Sequence, residues 1–366
     1  MSSLRIDTLY MSRALALAER GRGRTSPNPM VGAVVVDEEG VVVGRGTHEF
    51  AGGPHAEIHA LRDAGELAAG ATLYCTLEPC CHTGRTGPCA PEIVDAGISR
   101  VVVATEDPNP LVAGGGIAYL RQRGVEVTTG VCRGEAERLN RPFFTRITRN
   151  RPFVVVKVAM SLDGRVAAAR GERTALTGAA ANRAVHRQRA EVDAIAVGSE
   201  TVLVDDPRLT ARGAYRARPL TRVIFDRRLR TPASARLLST LDAGPVIIMS
   251  TPSAADAAPD RVRALSAKGA RVELVRAEGS IRPALELLAS EGVTSLVVEG
   301  GPTLHAAFWD AGLVDEIDMY LSPRTLGSGG VEWVPFPVLG SGLVSEVKAA
   351  ALGEDVRIEG YVHRPD

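Results

Sequence analysis

The sequence predicts an α/β protein made of two consecutive domains. The chain has 366 residues, a length that suits about two domains. Apolar strand-like segments alternate with helical segments in both halves, and this alternation stops between Arg138 and Pro152. Alternating strands and helices are typical of sheets covered by helices. We therefore expect a three-layer α/β/α domain at 1–148 and a second α/β domain at 149–366.

The first half begins with a helical stripe of small and aliphatic residues between Leu9 and Ala18. Short apolar runs bounded by polar turns then predict strands, and periodic segments between them predict helices. The predicted elements are a hairpin of Val31–Val36 and Val41–Val43, strands Ala71–Thr76, Val101–Ala104 and Val125–Thr129, and helices Ala56–Arg62, Ala90–Ala96 and Ile117–Arg123.

The second half restarts with the apolar run Phe153–Val158, which is typical of a strand buried on both faces. Strands and helices alternate after it, so a large and mostly parallel sheet is expected. Further strands are predicted at Ala194–Val197, Arg222–Phe225, Val246–Met249, Val272–Leu274, Leu296–Val298, Ile317–Leu321 and Val356–Tyr361. Helices are predicted at Ala180–Arg189, Asp260–Ala267, Arg282–Ala289 and Thr303–Ala311.

Composition narrows the class of function. The formal net charge is +0 and aromatic residues make up 4% of the chain, which argues against a basic, aromatic groove that tracks nucleic acid. The sequence lacks an apolar run of the roughly eighteen residues that a membrane helix needs. Met1–Arg20 is typical of a charged helix rather than a signal peptide. We therefore expect a cytoplasmic protein with neither a membrane nor a nucleic-acid partner.

Cysteine usage indicates a metal site. The chain has five cysteines, an odd number, and three of them fall within residues 80–89. With His55 upstream, this pattern favours metal ligands over disulfides. Cys75 alternates along a predicted strand and is expected in the core, and Cys132 is expected to be inert.

His55, Cys80 and Cys89 are predicted to bind a catalytic zinc ion. One imidazole and two thiolates supply the three protein ligands that such an ion takes, and leave its fourth position for water. Zinc lowers the pKa of that water towards about 7, and Glu57 is the expected proton shuttle. An H-x-E segment followed by P-C-x-x-C is the signature of zinc deaminases, but here eight residues separate Cys80 from Cys89.

Other interpretations of these residues stay open at this stage. A structural zinc site could use Cys81 as a ligand, although such a site has no need of Glu57. One alternative function is a deaminase that acts on a base in nucleic acid, with the second half as an accessory domain. Another is a non-catalytic, zinc-stabilised protein that binds a nucleotide as a regulatory ligand.

The first half resembles the deaminase half of the bifunctional riboflavin-biosynthesis deaminase/reductase family. The resemblance rests on His55-Ala56-Glu57, on the stretch Glu78–Cys89 with its long spacing between cysteines, and on Pro27–Gly32. It implies a cytidine-deaminase-like fold. It also implies that the pyrimidine and the ribose phosphate are held by Asn28, His48, His82 and Arg85.

The second half resembles the reductase half of the same family, which is similar to dihydrofolate reductase in fold and uses NADPH. The matching segments are Lys157–Arg165, Gly198–Asp206 with Leu209-Thr210, and Val298–Pro302. In the last of these, glycines follow a predicted strand and open a helix, where backbone N–H groups can bind a pyrophosphate. The resemblance implies NADP contacts at Ala159, Thr201, Asp205, Gly301, Pro302, Thr303, Leu304, His305, Ala306 and Ala307. It implies substrate contacts at Arg173, Arg189, Leu209, Arg212 and Glu299.

One segment departs from the family pattern. Many relatives have a Ser-x-Trp group where this chain has Arg173-Thr174-Ala175. Arg173 can still bind a phosphate, but Ala175 cannot replace an indole surface, so we expect weaker NADPH binding. The run Gly114–Gly116 lacks the full dinucleotide-binding fingerprint and is interpreted as a loop and helix start.

The resemblance implies a two-step enzyme that uses Zn²⁺ and NADPH. The first domain would hydrolyse the 2-amino group of 2,5-diamino-6-(5-phosphoribosylamino)pyrimidin-4(3H)-one. The second would reduce the ribosyl chain to give 5-amino-6-(5-phosphoribitylamino)uracil. The expected partner is therefore a phosphorylated aminopyrimidine, and a homo-oligomer is expected.

Overall fold

The computed structural model describes residues 3–81, 87–110, 112–276, 280–333, 338–340 and 342–362. They group into two compact units, Met1–Asn150 and Arg151–Asp366. Among the described residues, no helix combines the length and the hydropathy that crossing a membrane requires.

The first unit is a sheet covered by helices. Its strands are β1 Gly32–Val36, β2 Val42–Thr47, β3 Thr72–Cys75, β4 Arg100–Val103 and β5 Glu126–Thr129. Its helices are α1 Ser3–Ala18, α2 Ala56–Ala64, α3 Cys89–Asp95, α4 Gly115–Gln122, α5 Arg133–Leu139 and α6 Arg141–Arg149. The strand order is β2-β1-β3-β4-β5, in which β1 is antiparallel to β2 and β3 while β3, β4 and β5 are parallel.

Close helix–sheet packing in this unit places the start of α2. Strand β2 carries Gly44 and Gly46, and a Cβ atom at Gly46 would collide with the carbonyl oxygen of Ala56. Only glycine allows the first turn of α2 to lie this close to the strand. The turn that carries His55 and Glu57 is therefore fixed against the sheet.

The second unit contains a larger sheet. Its strands are β6 Phe153–Ser161, β7 Arg165–Ala167, β8 Ala194–Gly198, β9 Thr221–Phe225, β10 Val246–Ser250, β11 Arg271–Leu274, β12 Ser295–Val298, β13 Glu316–Ser322, β14 Val331–Glu332, β15 Val344–Leu352 and β16 Asp355–Val362. Its helices are α7 Ala179–Glu191, α8 Ser199–Asp205, α9 Pro252–Ala257, α10 Pro259–Ala267, α11 Arg282–Ser290 and α12 Pro302–Asp310.

The main sheet of this unit has the order β11-β10-β9-β8-β12-β6-β13-β16-β15. Strands from β11 to β13 are parallel, whereas β16 and β15 pair antiparallel at one edge. Strands β7 and β14 form a separate two-stranded ribbon. Parallel strands place their carboxyl ends along one edge of the sheet, where ligands bind in open α/β sheets. The expected α/β class is confirmed in both units.

The segment between Arg138 and Pro152 differs from its expected irregular structure, because α6 fills most of it. Pro142 lies in the first turn of this helix, where a proline costs no hydrogen bond. Asn150 ends the helix in the left-handed conformation. Proline and asparagine therefore mark the two ends of a helix here and not a break in the fold.

Candidate functional site

Three predicted metal ligands meet in the first unit. The Nδ1 atom of His55 lies 3.1 Å from Cys89 Sγ and 3.5 Å from Cys80 Sγ. The three candidate ligand atoms lie within 4.8 Å of one another. One ion can therefore contact all three without a change of backbone.

Helix ends position these ligands. His55 is the residue before the first turn of α2, and Cys89 is the first residue of α3. Cys80 lies in the loop after β3, and its sulfur accepts a hydrogen bond from the backbone N–H of Cys89 at 3.3 Å. A side-chain hydrogen bond with Cys89 lowers the pKa of the Cys80 thiol well below its usual value. The positive ends of the two helices add to this preference for thiolate.

Glu57 lies beside the ligands with an unsatisfied oxygen. Its side chain is 3% exposed, and its Oε2 atom has no hydrogen-bond partner among the described residues. Burial raises the pKa of Glu57 to about 7, although the charge of His55 acts in the opposite direction. A buried carboxyl group with a free oxygen and a pKa near neutrality is suited to accept and release a proton.

The donor set fits a catalytic zinc ion. One imidazole and two thiols match the ligands of such sites. The described cluster does not include Cys81. Instead, a Cβ atom at Gly115 would lie 2.9 Å from the Cys81 sulfur, which places that sulfur against the start of α4. The orphaned Glu57 oxygen also has no purpose in a purely structural site.

A pocket of about 270 Å³ adjoins these residues and contains two of the predicted substrate contacts. Asn28 Nδ2 lies 3.1 Å from His48 Nε2, and His48 Nδ1 donates to the carbonyl oxygen of Pro54 at 3.0 Å. Burial lowers the pKa of His48, so its Nε2 atom accepts a hydrogen bond from the amide of Asn28. The other two predicted contacts, His82 and Arg85, lie outside the described residues.

Asn140 is a residue of this site that sequence reasoning missed. Its side-chain amide pairs with both backbone groups of Met30, accepting from the N–H at 2.8 Å and donating to the carbonyl at 2.9 Å. This pair holds the loop that carries Asn28. Phe143, from the same helical region, lines the pocket. The two partners are 110 positions apart in the sequence, so no local pattern could have revealed the contact.

A cavity of about 1500 Å³ in the second unit contains most of the residues predicted for the reductase. The predicted cofactor contacts that line it are Ala159, Thr201, Asp205, Gly301, Pro302, Thr303, Leu304, His305 and Ala307. The predicted substrate contacts that line it are Arg173, Arg189, Leu209 and Glu299. Ala306 and Arg212 do not occur among its described lining residues.

Arg189 and Glu299 form a bidentate pair on the cavity wall, with both N–O distances at 2.7 Å. Burial alone would raise the pKa of Glu299, but the charges of Arg189 and Lys157 bring it to about 2. Lys157, which sequence reasoning quoted only as part of a motif, also lines the cavity. Burial lowers the pKa of this lysine.

Several arginines of the second unit lie close enough to Arg212 to affect its charge. Burial and the charges of four other arginines lower the pKa of Arg212, and these neighbours are Arg189, Arg208, Arg236 and Arg173. Arg212 is exposed, and its backbone N–H donates to His186 Nδ1 at 3.2 Å. Mutual repulsion among guanidinium groups favours an anion at this place.

The cofactor turn at the start of α12 is built from backbone groups. Gly301 precedes the helix and Pro302 occupies its first turn. His305 is 2% exposed and accepts a hydrogen bond from the indole N–H of Trp333 at 3.0 Å. Free N–H groups at a helix N-terminus fit the pyrophosphate of a dinucleotide, so these residues suit NADPH.

Comparison with known proteins agrees with both sites. The family described as RibD C-terminal domain matches residues 152–356, and the cytidine and deoxycytidylate deaminase zinc-binding region matches residues 4–105. The riboflavin biosynthesis protein RibD of Aquifex aeolicus is 44% identical over 324 residues, covering 88% of this chain and 89% of that protein. RibD of Escherichia coli is 42% identical over 334 residues, with coverage of 88% and 89%.

Solved structures show the same similarity over the whole chain. Acinetobacter baumannii RibD has a TM-score of 0.89 and 37% identity, covering 99% of this chain and 100% of that chain. A diaminohydroxyphosphoribosylaminopyrimidine deaminase/5-amino-6-(5-phosphoribosylamino)uracil reductase from Thermotoga maritima has a TM-score of 0.85 and 32% identity, covering 98% and 99%.

The fold and the two sites thus define a bifunctional enzyme with a zinc-dependent deaminase and an NADPH-dependent reductase on one chain. The chain belongs to the RibD family of riboflavin biosynthesis proteins. The predicted fold class, enzyme type, pathway and cofactors are confirmed. The matches do not favour a nucleic-acid deaminase or a non-catalytic regulator.

Proposed function

We propose that residues 1–148 deaminate 2,5-diamino-6-(5-phosphoribosylamino)pyrimidin-4(3H)-one and that residues 149–366 reduce the product. The observation that carries the first step is the convergence of His55 Nδ1 with two cysteine sulfurs beside the unpaired Glu57 oxygen. The name of the Thermotoga maritima protein includes both activities. That relationship supports the choice of a phosphorylated aminopyrimidine as substrate.

His55, Cys80 and Cys89 hold the metal in this proposal. When bound, Zn²⁺ polarises water and makes it a nucleophile near neutral pH. Glu57 removes a proton from the attacking water and delivers it to the substrate, so that the amino group leaves as ammonia. Because Glu57 is buried beside the ligands and its Oε2 atom has no partner among the described residues, the same carboxyl group can both take up and release this proton.

Substrate contacts in the first domain are assigned to Asn28 and His48, with His82 and Arg85 added from the family resemblance. An amide side chain can both donate to and accept from the edge of a pyrimidine. His48 orients the Asn28 amide through the contact at 3.1 Å. Arg85 is assigned to the phosphate because guanidinium groups bind phosphate with paired hydrogen bonds.

In the second domain, bound NADPH supplies the hydride. Reduction of the anomeric carbon would break its bond to the ring oxygen, and that oxygen would then need a proton. We assign this proton to Lys157, because it lines the cavity and its pKa is lowered by burial. Arg189, oriented by Glu299, and Arg212 are assigned to the substrate phosphate. The deaminated product of the first domain is the substrate of this second step.

We also propose a cytoplasmic location and a homo-oligomeric state. All five cysteines are free in the structure, which fits a compartment where thiols stay reduced. Size-exclusion chromatography with light scattering would measure the oligomeric state directly.

A product analysis tests this function. We expect the purified zinc-loaded protein to convert the diaminopyrimidine phosphoribosyl compound to its deaminated form without NADPH, as measured by mass spectrometry. Addition of NADPH should then yield the phosphoribityl product. Failure to release ammonia from this compound would refute the proposed substrate.

A further inference from the structure

We propose that Glu78 and Gly116 are positioning residues for the zinc ligands: they anchor the loop that carries Cys80 to the start of α4. The inference rests on the proposed deaminase function and extends it. Neither residue is among the three candidate metal ligands, which are His55, Cys80 and Cys89.

The carboxylate of Glu78 accepts four backbone hydrogen bonds. Oε1 accepts from Gly116 at 3.0 Å and from Ile117 at 3.2 Å, while Oε2 accepts from Gly114 at 3.0 Å and from Asp107 at 3.3 Å. The side chain is only 3% exposed. A buried carboxylate with four donors has a single favourable orientation, because turning it away would leave the buried N–H groups of Gly116 and Ile117 unsatisfied.

The glycines of α4 allow the ligand loop to approach the helix. A Cβ atom at Gly116 would collide with the carbonyl oxygen of Pro79. A Cβ atom at Gly115 would lie 2.9 Å from the sulfur of Cys81. The loop therefore lies directly on the first turn of α4, and only glycine at 116 leaves room for it.

The contacts of Glu78 act on the metal ligand Cys80 through a very short stretch of backbone. Pro79 alone separates Glu78 from Cys80, and its ring restricts the backbone between them. The backbone of Glu78 is fixed as well, because its N–H donates to the carbonyl of Thr105 at 3.0 Å. Because both the backbone and the side chain of Glu78 are held, the Cys80 sulfur is placed opposite His55 and Cys89 before an ion binds.

The anchoring also explains the run Gly114–Gly116. It follows a loop and opens a helix, as a phosphate-binding turn does, but it lacks the full dinucleotide-binding fingerprint. Its N–H groups at 114 and 116 are instead bonded to Glu78. The glycines therefore serve the neighbouring metal site rather than a dinucleotide.

Zinc affinity of the full-length protein tests the proposal. We expect Glu78→Gln to bind zinc about 10- to 100-fold more weakly in competition with a chromogenic chelator, as for other residues that orient ligands. The d–d absorption bands of the Co²⁺-substituted variant should shift, because the Cys80 sulfur moves relative to the ion. A residue that only stabilises the fold would lower the unfolding temperature and leave those bands unchanged.

Gly116→Ala provides a second and independent variant. Its added methyl group should displace Pro79 and also weaken zinc binding. Gly134→Ala is the matched control: this glycine lies in α5 of the same unit, where a Cβ atom would meet only the end of the Arg138 side chain at 3.5 Å. NADPH oxidation with the deaminated substrate reports on folding of the second domain in each variant.

The outcomes separate this proposal from the proposed function. Unchanged zinc affinity and Co²⁺ bands in both variants would overturn the anchoring role while the wild type still binds zinc and releases ammonia. Failure of the wild type itself to bind zinc would overturn the deaminase assignment instead. If Glu78→Gln does not fold, the zinc affinity and Co²⁺ bands of Gly116→Ala decide whether the anchoring role is correct.

Discussion

On the wall of the reductase cavity, the guanidinium group of Arg189 donates two hydrogen bonds of 2.7 Å to the carboxylate of Glu299. A third donor of Arg189 bonds the carbonyl oxygen of Thr210 at 3.2 Å. Since a guanidinium group has five N–H donors, two remain for a ligand. Glu299 thus fixes the plane of Arg189 while leaving it able to bind a phosphate.

Substitution of this carboxylate tests its orienting role. Glu299→Gln keeps the shape of the side chain but removes the charge that holds Arg189. We expect KM for the deaminated phosphoribosyl substrate to rise about tenfold, since a charged hydrogen bond contributes roughly 1.5–3 kcal/mol. Steady-state NADPH oxidation measures this change. Glu291→Gln, which removes a surface partner of Arg271, is the control, and equal KM values for the two variants would contradict the role.

Removal of the metal should separate the two activities. We expect a strong chelator to abolish ammonia release and to leave NADPH oxidation on the deaminated substrate unchanged. Cys80→Ser should have the same effect, because a hydroxyl group is a far weaker zinc ligand than a thiolate. Cys132→Ser, outside the ligand cluster, should retain both activities. Loss of ammonia release in Cys132→Ser as well would contradict the assignment of ligands.

Because this chain has Ala175 where many relatives have a tryptophan, restoring the indole should increase the affinity for NADPH. Ala175 is exposed and lines the cavity, so a larger side chain there can cover bound NADPH. We expect Ala175→Trp to lower the Kd of NADPH about fivefold, or about 1 kcal/mol, as measured by calorimetry. Ala257→Trp places an indole at an exposed position that is not among the described cavity-lining residues, and it should leave the Kd of NADPH unchanged. An unchanged Kd for Ala175→Trp would show that this departure from the family pattern has no consequence.

The ion pair between Asp7 and Arg100 should contribute to the stability of the fold in a pH-dependent way. Arg100 contacts both carboxylate oxygens at 2.8 Å, and this hydrogen bonding lowers the pKa of Asp7 although burial opposes it. A depressed folded-state pKa means that the contribution is present above the unfolded pKa of about 3.9 and is lost as the pH falls through the folded value.

Two variants measure that contribution. We expect Asp7→Asn to lower the free energy of unfolding by about 1–3 kcal/mol at neutral pH, and the difference from wild type to shrink below about pH 4. Glu126→Gln is the matched control, because Glu126 pairs with the same Arg100 but is 71% exposed. Its effect should stay below about 0.5 kcal/mol. Urea unfolding at several pH values supplies the data, and a pH-independent difference for Asp7→Asn would refute the account.

Local patterns were sufficient to predict much of the fold. The apolar run beginning at Phe153 predicted the interior strand β6, although the strand continues to Ser161. The predicted helix after His55 begins at Ala56 as expected, because the ligand motif coincides with a helix start. Strand β15 was not predicted, since residues 345–351 are all exposed and therefore show no apolar alternation.

Contacts between distant residues account for what the sequence could not reveal. Glu78 accepts hydrogen bonds from N–H groups as far away as Ile117. The run Gly114–Gly116 was correctly interpreted as a loop and helix start, but its contacts with Glu78 could not be predicted. Arg189 and Glu299 are 110 positions apart, so their pairing follows only from the order of strands in the sheet. The individual roles of all the predicted contact residues stay predictions, and Arg212 and Ala306 also lie outside the described cavity lining.

The most direct test of two independent sites on one chain is Glu57→Gln, with ammonia release and NADPH oxidation followed in the same protein. We expect no ammonia from the diaminopyrimidine substrate, because the amide cannot accept the proton from water. NADPH oxidation on the deaminated substrate should proceed at the wild-type rate. Retained ammonia release, or loss of both activities in a folded protein, would contradict the account.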